Sequence, residues 1–142
     1  MSASRLFLAA LLLGACRKAG PPAASAELGD LQIDRGYAFE PIVPASGAAY
    51  FRIRNQGSAA DTLLEATSPA AAGAAFHGGS MAHMDVLVIP PRGEVELRPG
   101  GTHLMLTSFA NPPYAGDSLP VTLRFARAGS LTLMLPIRRY GE

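Results

Sequence analysis

Leu119-Pro-Val-Thr-Leu-Arg-Phe-Ala126 and, after a turn at Ala128-Gly129, Leu131-Thr-Leu-Met-Leu-Pro-Ile137 decide the fold class. In the first run Val121, Leu123 and Phe125 alternate with Thr122, Arg124 and Ala126. In the second, Leu131, Leu133, Leu135 and Ile137 alternate with Thr132 and Met134. A period of two places each apolar set on one face of an extended strand, so both runs predict strands with one buried face. Met134 falls off the leucine face and is read as packing or surface.

Working outward, short apolar segments alternate with turn signals along the rest of the chain. Strands are expected near Leu31 to Phe39, Ala48 to Asn55, Thr62 to Thr67, Ala74 to His77, Met84 to Ile89, Glu94 to Arg98 and His103 to Phe109. Asn55-Gln-Gly57, Pro90-Pro-Arg-Gly93, Pro99-Gly-Gly101 and Asn111-Pro-Pro113 punctuate them, because Gly supplies positive φ and Pro fixes φ and removes a donor. Ala66 to Ala75 reads as one helical turn or an irregular crossing between sheets. No long helical period is present, and the pattern is that of an all-β sandwich or barrel.

The chain of 142 residues is long enough for one domain with a real core. Its start, with Arg5 followed by Leu6-Phe-Leu-Ala-Ala-Leu-Leu-Leu13 and Gly14-Ala15-Cys16, has the basic, apolar and small-residue order of an export signal, and the apolar run is too short for a membrane span. Leu13-Gly-Ala-Cys16 resembles the bacterial lipobox, which implies lipid attachment at Cys16. Cys16 is the only cysteine, so an acylated protein has no thiol, disulfide or thiolate ligand. Residues 1–15 are thus expected to be a lipoprotein signal peptide, 16–29 a lipidated N-terminus and flexible tether rich in Pro, Ala and Gly, and 30–142 the folded domain. Arg5 is the leader's only charge, which leaves the mature part with no net formal charge, and nucleic acid is not an expected partner.

The chemistry sits in His77-Gly-Gly-Ser-Met81-Ala-His83-Met84 and His103-Leu-Met105, which hold all three histidines and three of the five methionines. Neutral imidazole and soft thioether donors suit copper(I), whereas zinc takes thiolate, imidazole or carboxylate and calcium takes oxygen. His103 and Met105 are two apart, so on a strand they project together while Leu104 and Leu106 face a core. A methionine alone is more often gap-filling core and a lone histidine usually no ligand; it is their co-occurrence that favours a metal. Asp85, beside Met84, reads as a solvated strand-end residue, the alternative being a partner to a ligand or a general base. No phosphate-cradling glycine motif or Ser/His/Asp grouping is present, so no enzyme activity is expected.

These residues resemble the periplasmic copper-A chaperone family, PCuAC, whose pattern is a histidine, a later methionine and then His-x-Met on a following strand. The likeness runs from Ala48-Ala-Tyr-Phe-Arg-Ile-Arg-Asn-Gln-Gly57 through Ala66-Thr-Ser-Pro-Ala70, His77, Met81-Ala-His-Met84 and Ile89-Pro-Pro-Arg-Gly93. It continues to Val95-Glu-Leu-Arg-Pro-Gly-Gly101 and His103-Leu-Met-Leu106. It implies a cupredoxin-like Greek-key β-sandwich or barrel with copper(I) ligands at His77, Met84, His103 and Met105. Met81 and His83 are auxiliary candidates, since the segment after His77 is shorter than is usual in the family. It further implies a periplasmic, monomeric carrier that passes copper to the copper-A subunit of cytochrome c oxidase, sometimes alongside a thiol-bearing copper-handling protein. Rival readings are a copper-storage or copper-resistance lipoprotein and a metal-free lipoprotein interaction module. A blue-copper protein would need a cysteine thiolate beside two histidines, and the mature domain offers none.

Overall fold

A computed structural model describes residues 21–42 and 46–142. The expected signal peptide and Cys16 lie outside the described residues. Eleven strands follow in chain order: β1 (Ala24–Leu28), β2 (Leu31–Phe39), β3 (Ser46–Asn55), β4 (Asp61–Thr67), β5 (Ala71–His77), β6 (His83–Met84), β7 (Leu87–Ile89), β8 (Glu94–Glu96), β9 (His103–Phe109), β10 (Ser118–Phe125) and β11 (Gly129–Arg138). There is no helix among the described residues.

Hydrogen-bonded neighbours run β6-β5-β9-β3-β2-β11-β10-β4-β7, with β1 added to β2 and β8 to β3. One strand joins the two layers of the sandwich. β11 pairs antiparallel with β10 as far as Pro136, and then Ile137 and Arg138 lie parallel to Ala38 and Phe39 of β2. A strand that changes sheet in this way turns a corner of the sandwich and brings the sheet close to a closed barrel.

The alternation read at the start is the alternation of burial. Val121, Leu123 and Phe125 meet Leu133, Leu135 and Ile137 in the core, joined from the other sheet by Ile33, Ala49, Phe51, Ile53, Leu104 and Leu106. On the outer side Thr122 and Thr132 share a hydrogen bond at 2.8 Å, and Met134 is exposed. The turns also follow their residues. Asn55 accepts from the Gly57 N–H at 2.9 Å and donates to the Ala59 carbonyl at 2.8 Å, the side-chain turn that Asn favours.

Three expectations need correction. Residues 24–28, expected within the tether, form β1: Ala24, Ala26 and Leu28 alternate and pack on the core beside β2. Alanine gives too weak an apolar signal to reveal this. The single strand expected from Met84 to Ile89 is two, because the chain leaves one sheet at Met84 and joins the other at Leu87. In sequence Met84, Val86 and Val88 alternate as in one strand, but Met84 packs against the core while Val86 and Val88 are exposed. Residues 66–75, expected as a helical turn or irregular crossing, continue β4 and start β5, with only a tight bridge between Ser68 and Ala71.

On the outer face of β2 and β3, Arg52 donates to both carboxylate oxygens of Asp34, at 2.8 and 2.6 Å. These hydrogen bonds hold the Asp34 carboxyl below the usual carboxylate range against the opposing effect of burial, helped by the charges of Arg52, Arg54 and Arg35. A carboxyl whose folded value is depressed contributes stability above its unfolded value and loses it as pH falls through the folded one. Asp34→Asn is therefore expected to lower the urea midpoint by a constant amount above about pH 5, and the difference from wild type should close below about pH 4.

Candidate metal centre

The turn before β9 sets the first histidine. Gly101 N–H donates to the Arg98 carbonyl at 3.0 Å, Gly100 takes a φ of 78°, and Arg98 N–H donates to the Thr102 carbonyl at 2.8 Å. Pro99 followed by a glycine of positive φ is the residue order of a type II turn. β9 then starts at His103.

β5 runs antiparallel beside it in an unbroken register from Gly73 opposite Thr107 to His77 opposite His103. Residues directly opposite share a face, so His77 and His103 stand side by side, with ring centroids 5.6 Å apart and planes at 83°. Met105, opposite Ala75 and two residues from His103, lies on that same face. Phe76 and Leu104 point the other way and are buried in the core, which pins the register, because a slip by one residue would bury the imidazoles and expose both.

The two rings are prepared differently. His103 is buried, and its Nδ1–H donates to the Gly101 carbonyl at 3.0 Å. A carbonyl can only accept, so the proton of the neutral ring sits on Nδ1 and the lone pair is left on Nε2. This is how a ligating imidazole is commonly oriented. The Nδ1 of His77 is buried with no hydrogen-bond partner among the described residues. A buried nitrogen left unpaired costs free energy, and a soft cation would relieve that cost. The Gly101 carbonyl was not singled out in the sequence, although Pro99-Gly-Gly immediately before a histidine is a visible signal for it. Tyr50 was also missed: continuing the β3–β9 register one residue beyond Ala49 opposite Leu104 places it next to His103. Burial pushes its phenol up, with smaller contributions from Tyr140 and Tyr37, so it flanks the site as a neutral wall.

The hairpin after His77 supplies the remaining candidates. His83 pairs with His77, their ring centroids 6.0 Å apart, so the three imidazoles form one row across β6, β5 and β9. The row spans two strand spacings of about 4.8 Å each, so its outer rings do not converge. Among the described residues no group of three or more His, Cys, Asp or Glu is arranged to hold a metal ion. A site here has to recruit thioether. His83 Nε2 instead lies 3.2 Å from Asp85 Oδ1, both side chains being well exposed. Met81 sits in the turn closed by Gly78 N–H to Ala82 O at 2.8 Å, with a φ of 65° and an exposed side chain.

Met84 departs from the expectation that it joins the histidines. It pairs with Phe76, one residue off the imidazole row, and so turns to the opposite face, where it packs against the core. Spacing from His77 could not reveal this, because the intervening turn interrupts strand alternation. The structure thus brings together His77, His103 and Met105, with Met81 on the adjoining turn.

The family profile described as "Putative lipoprotein LpqE-like" matches residues 31–137. "Putative lipoprotein Lxx21020" from Leifsonia xyli subsp. xyli (strain CTCB07) is 30% identical over 145 residues, covering 94% of this chain and 87% of that protein. Among solved structures, the copper-bound PCuAC domain from PmoF2 superposes with a TM-score of 0.76 at 23% identity, over 81% of this chain and 97% of that domain. The copper(I) form of DR1885 from Deinococcus radiodurans gives 0.63 at 22% identity, over 83% of each chain. The fold is therefore the cupredoxin-like sandwich of PCuAC domains.

The orientation of Met84 carries a direct expectation. Met84→Leu conserves volume on the core side and should change stability by less than about 1.5 kcal/mol. It is also expected to leave the copper dissociation constant within about twofold of wild type, since the Met84 thioether is turned to the face opposite the imidazoles. A competition titration with a chromogenic copper(I) chelator reads both this variant and Met81→Leu, which should bind more weakly.

Proposed function

The chain belongs to the LpqE-like lipoprotein family, and on that premise we propose that it is an exported, lipid-anchored carrier of copper(I), with His77, His103, Met105 and Met81 as the donor set. The observation that carries this reading is the buried, unpartnered Nδ1 of His77 beside an His103 ring whose own Nδ1 proton is already committed. A thioether on the same face, and no thiol anywhere in the mature chain, make the site soft, neutral and free of anionic ligands. Copper is the cargo. The copper-bound PmoF2 domain and the copper(I) form of DR1885, which share the fold, support copper as the ion.

Release follows from the same donors. Each contributes a single neutral contact, and the thioether of Met81 hangs on an exposed turn, so an incoming thiolate displaces the ligands one at a time without separating opposite charges. The proposed recipient is a thiolate-bearing copper centre outside the cytoplasm. By the family resemblance this is the copper-A subunit of cytochrome c oxidase, reached directly or through a thiol-bearing copper protein. Anchorage is through Cys16 on the periplasmic side of a membrane. Storage of copper is the second reading, and it differs in predicting no transfer to an apo recipient.

X-ray absorption of the copper(I) form is expected to count two sulfur and two nitrogen or oxygen neighbours. His103→Ala combined with Met105→Ala should abolish stoichiometric copper while leaving the strand-type circular dichroism spectrum unchanged. A double variant that still retains copper would exclude this site. Because imidazole ligates only when unprotonated, wild-type affinity should fall as pH is lowered from neutral into the acid range, and affinity that does not change would remove the histidines from the donor set.

A further inference from the structure

One pole of the sandwich is apolar where the chain leaves it. β2 ends there at Phe39, β3 begins at Ser46, β9 ends at Phe109, β10 begins at Ser118 and β11 ends at Arg138. Backbone hydrogen bonds tie the segments together: Glu40 N–H to the Arg138 carbonyl at 2.8 Å, Gly116 N–H to the Ile137 carbonyl at 3.1 Å, and Ile137 N–H to the Asp117 carbonyl at 2.9 Å. Three large apolar side chains project from these segments: Ile42 is 79% exposed, Tyr114 68% and Tyr140 57%. Tyr140 is held from behind by Phe39, stacked at 4.3 Å.

The N-terminal segment reaches the fold at this same pole. β1 runs antiparallel to β2 with Ala24 opposite Gly36, and the carbonyl of Pro21 accepts from Arg138 at 3.3 Å. From Pro21 back to Cys16 the chain can span at most about 18 Å, taking about 3.5 Å per residue. We infer that Ile42, Tyr114 and Tyr140 form a docking surface for the lipid bilayer, seating the domain on the membrane that holds Cys16. This rests on the proposed lipidation of Cys16.

Tyrosine suits that position, because its ring enters the headgroup region while its hydroxyl stays hydrated. The named charges at the pole sum to one net negative: Arg138 and Arg139 stand against Glu40, Asp117 and Glu142. The contact is therefore an interfacial apolar one, and no excess of positive charge is needed. A second exposed apolar group, Met81, Val86 and Val88, lies toward the other end, and the place where the chain enters chooses between the two. By register Phe39, which supports Tyr140, is level with Ala48 and Met105, and Tyr37 and Tyr50 are level with His103, so docking on this pole holds the imidazole row only two residues, about 7 Å, beyond the level of Phe39.

The chain contains no tryptophan, so Tyr140→Trp, Tyr114→Trp and Val88→Trp each introduce a single fluorescent probe. Each variant, as the full lipidated chain, is reconstituted into vesicles of phosphatidylcholine and phosphatidylglycerol with and without brominated acyl chains. Bilayer docking predicts quenching of at least about twofold at positions 140 and 114, and none at 88. Co-flotation with vesicles but equal quenching at all three positions, or strongest quenching at 88, overturns the docking surface and leaves the anchor standing. A chain that fails to float with the vesicles overturns the anchor and the docking together.

Discussion

The pairing of His77 with His103 across β5 and β9 is the constraint on which the rest of the molecule's chemistry depends. Neither residue could enforce it, since two imidazoles have no strong mutual attraction. The register comes from the other face, where Phe76 and Leu104 are buried, and from a close approach further along the pair. A side chain at Gly73 would collide with the Thr107 hydroxyl, so glycine there lets β5 lie against β9 along the length of the ladder. β5 is otherwise built from alanines, which have modest strand preference. It is a strand because β9 offers it a leucine-lined partner.

That arrangement explains why the site is both exact in position and weak in charge. One ring is oriented by a backbone carbonyl, which no side-chain change can remove, and the other is left with a buried nitrogen that nothing among the described residues satisfies. Folding energy from the leucine core is spent on holding an unfilled polar position, a usual mark of a ligand site. Because all donors are neutral, filling the site with a monovalent ion leaves one net positive charge near the surface, where water still screens it. A thiolate pair would bind more tightly and release less readily, and the lone cysteine lies at the expected lipid position instead.

What was legible in the sequence divides along a physical line. The bounds of strands such as Leu31 to Phe39 and His103 to Phe109 were readable to the residue, but alternation from Leu31 holds only to Asp34, because the bulge at Arg35, with a φ of 57°, shifts the parity, buries Ala38 and turns Tyr37 and Phe39 outward. The His-x-Met spacing was readable because residues two apart in one unbulged strand share a face wherever the strand goes. Met84 was not. Its face depends on how many residues the turn after His77 consumes, and the turn holds Gly78, Gly79 and a residue of positive φ at Met81, so strand parity does not carry through it. β1 was hidden for a different reason, since alanines that pack against a neighbouring strand look in sequence like alanines in a linker. The division of Met84 to Ile89 between two sheets was hidden because a crossing and a continuous strand can carry the same alternation.

Topology also fixes how far the imidazole row stands from the pole at which the described chain begins. Tyr37, Tyr50 and His103 share one level of the sheet, and Phe39, which supports Tyr140, lies two residues below it beside Ala48 and Met105. A domain lying with its histidines against the bilayer would be closed to any thiolate on a neighbouring protein, whereas a domain standing on Ile42, Tyr114 and Tyr140 keeps the hairpin of Met81 and His83 turned outward. The tether bears on this as well. A long flexible linker would let every face meet the membrane in turn and give none of them an advantage, but with Cys16 lipidated as proposed, a span of no more than about 18 Å would favour orientations in which the pole that receives the chain is lowest. For a carrier anchored as proposed, capture and transfer take place in a layer close to the lipid, and restricting the donors to that layer raises their effective concentration toward any membrane protein whose own ligands project to the same height.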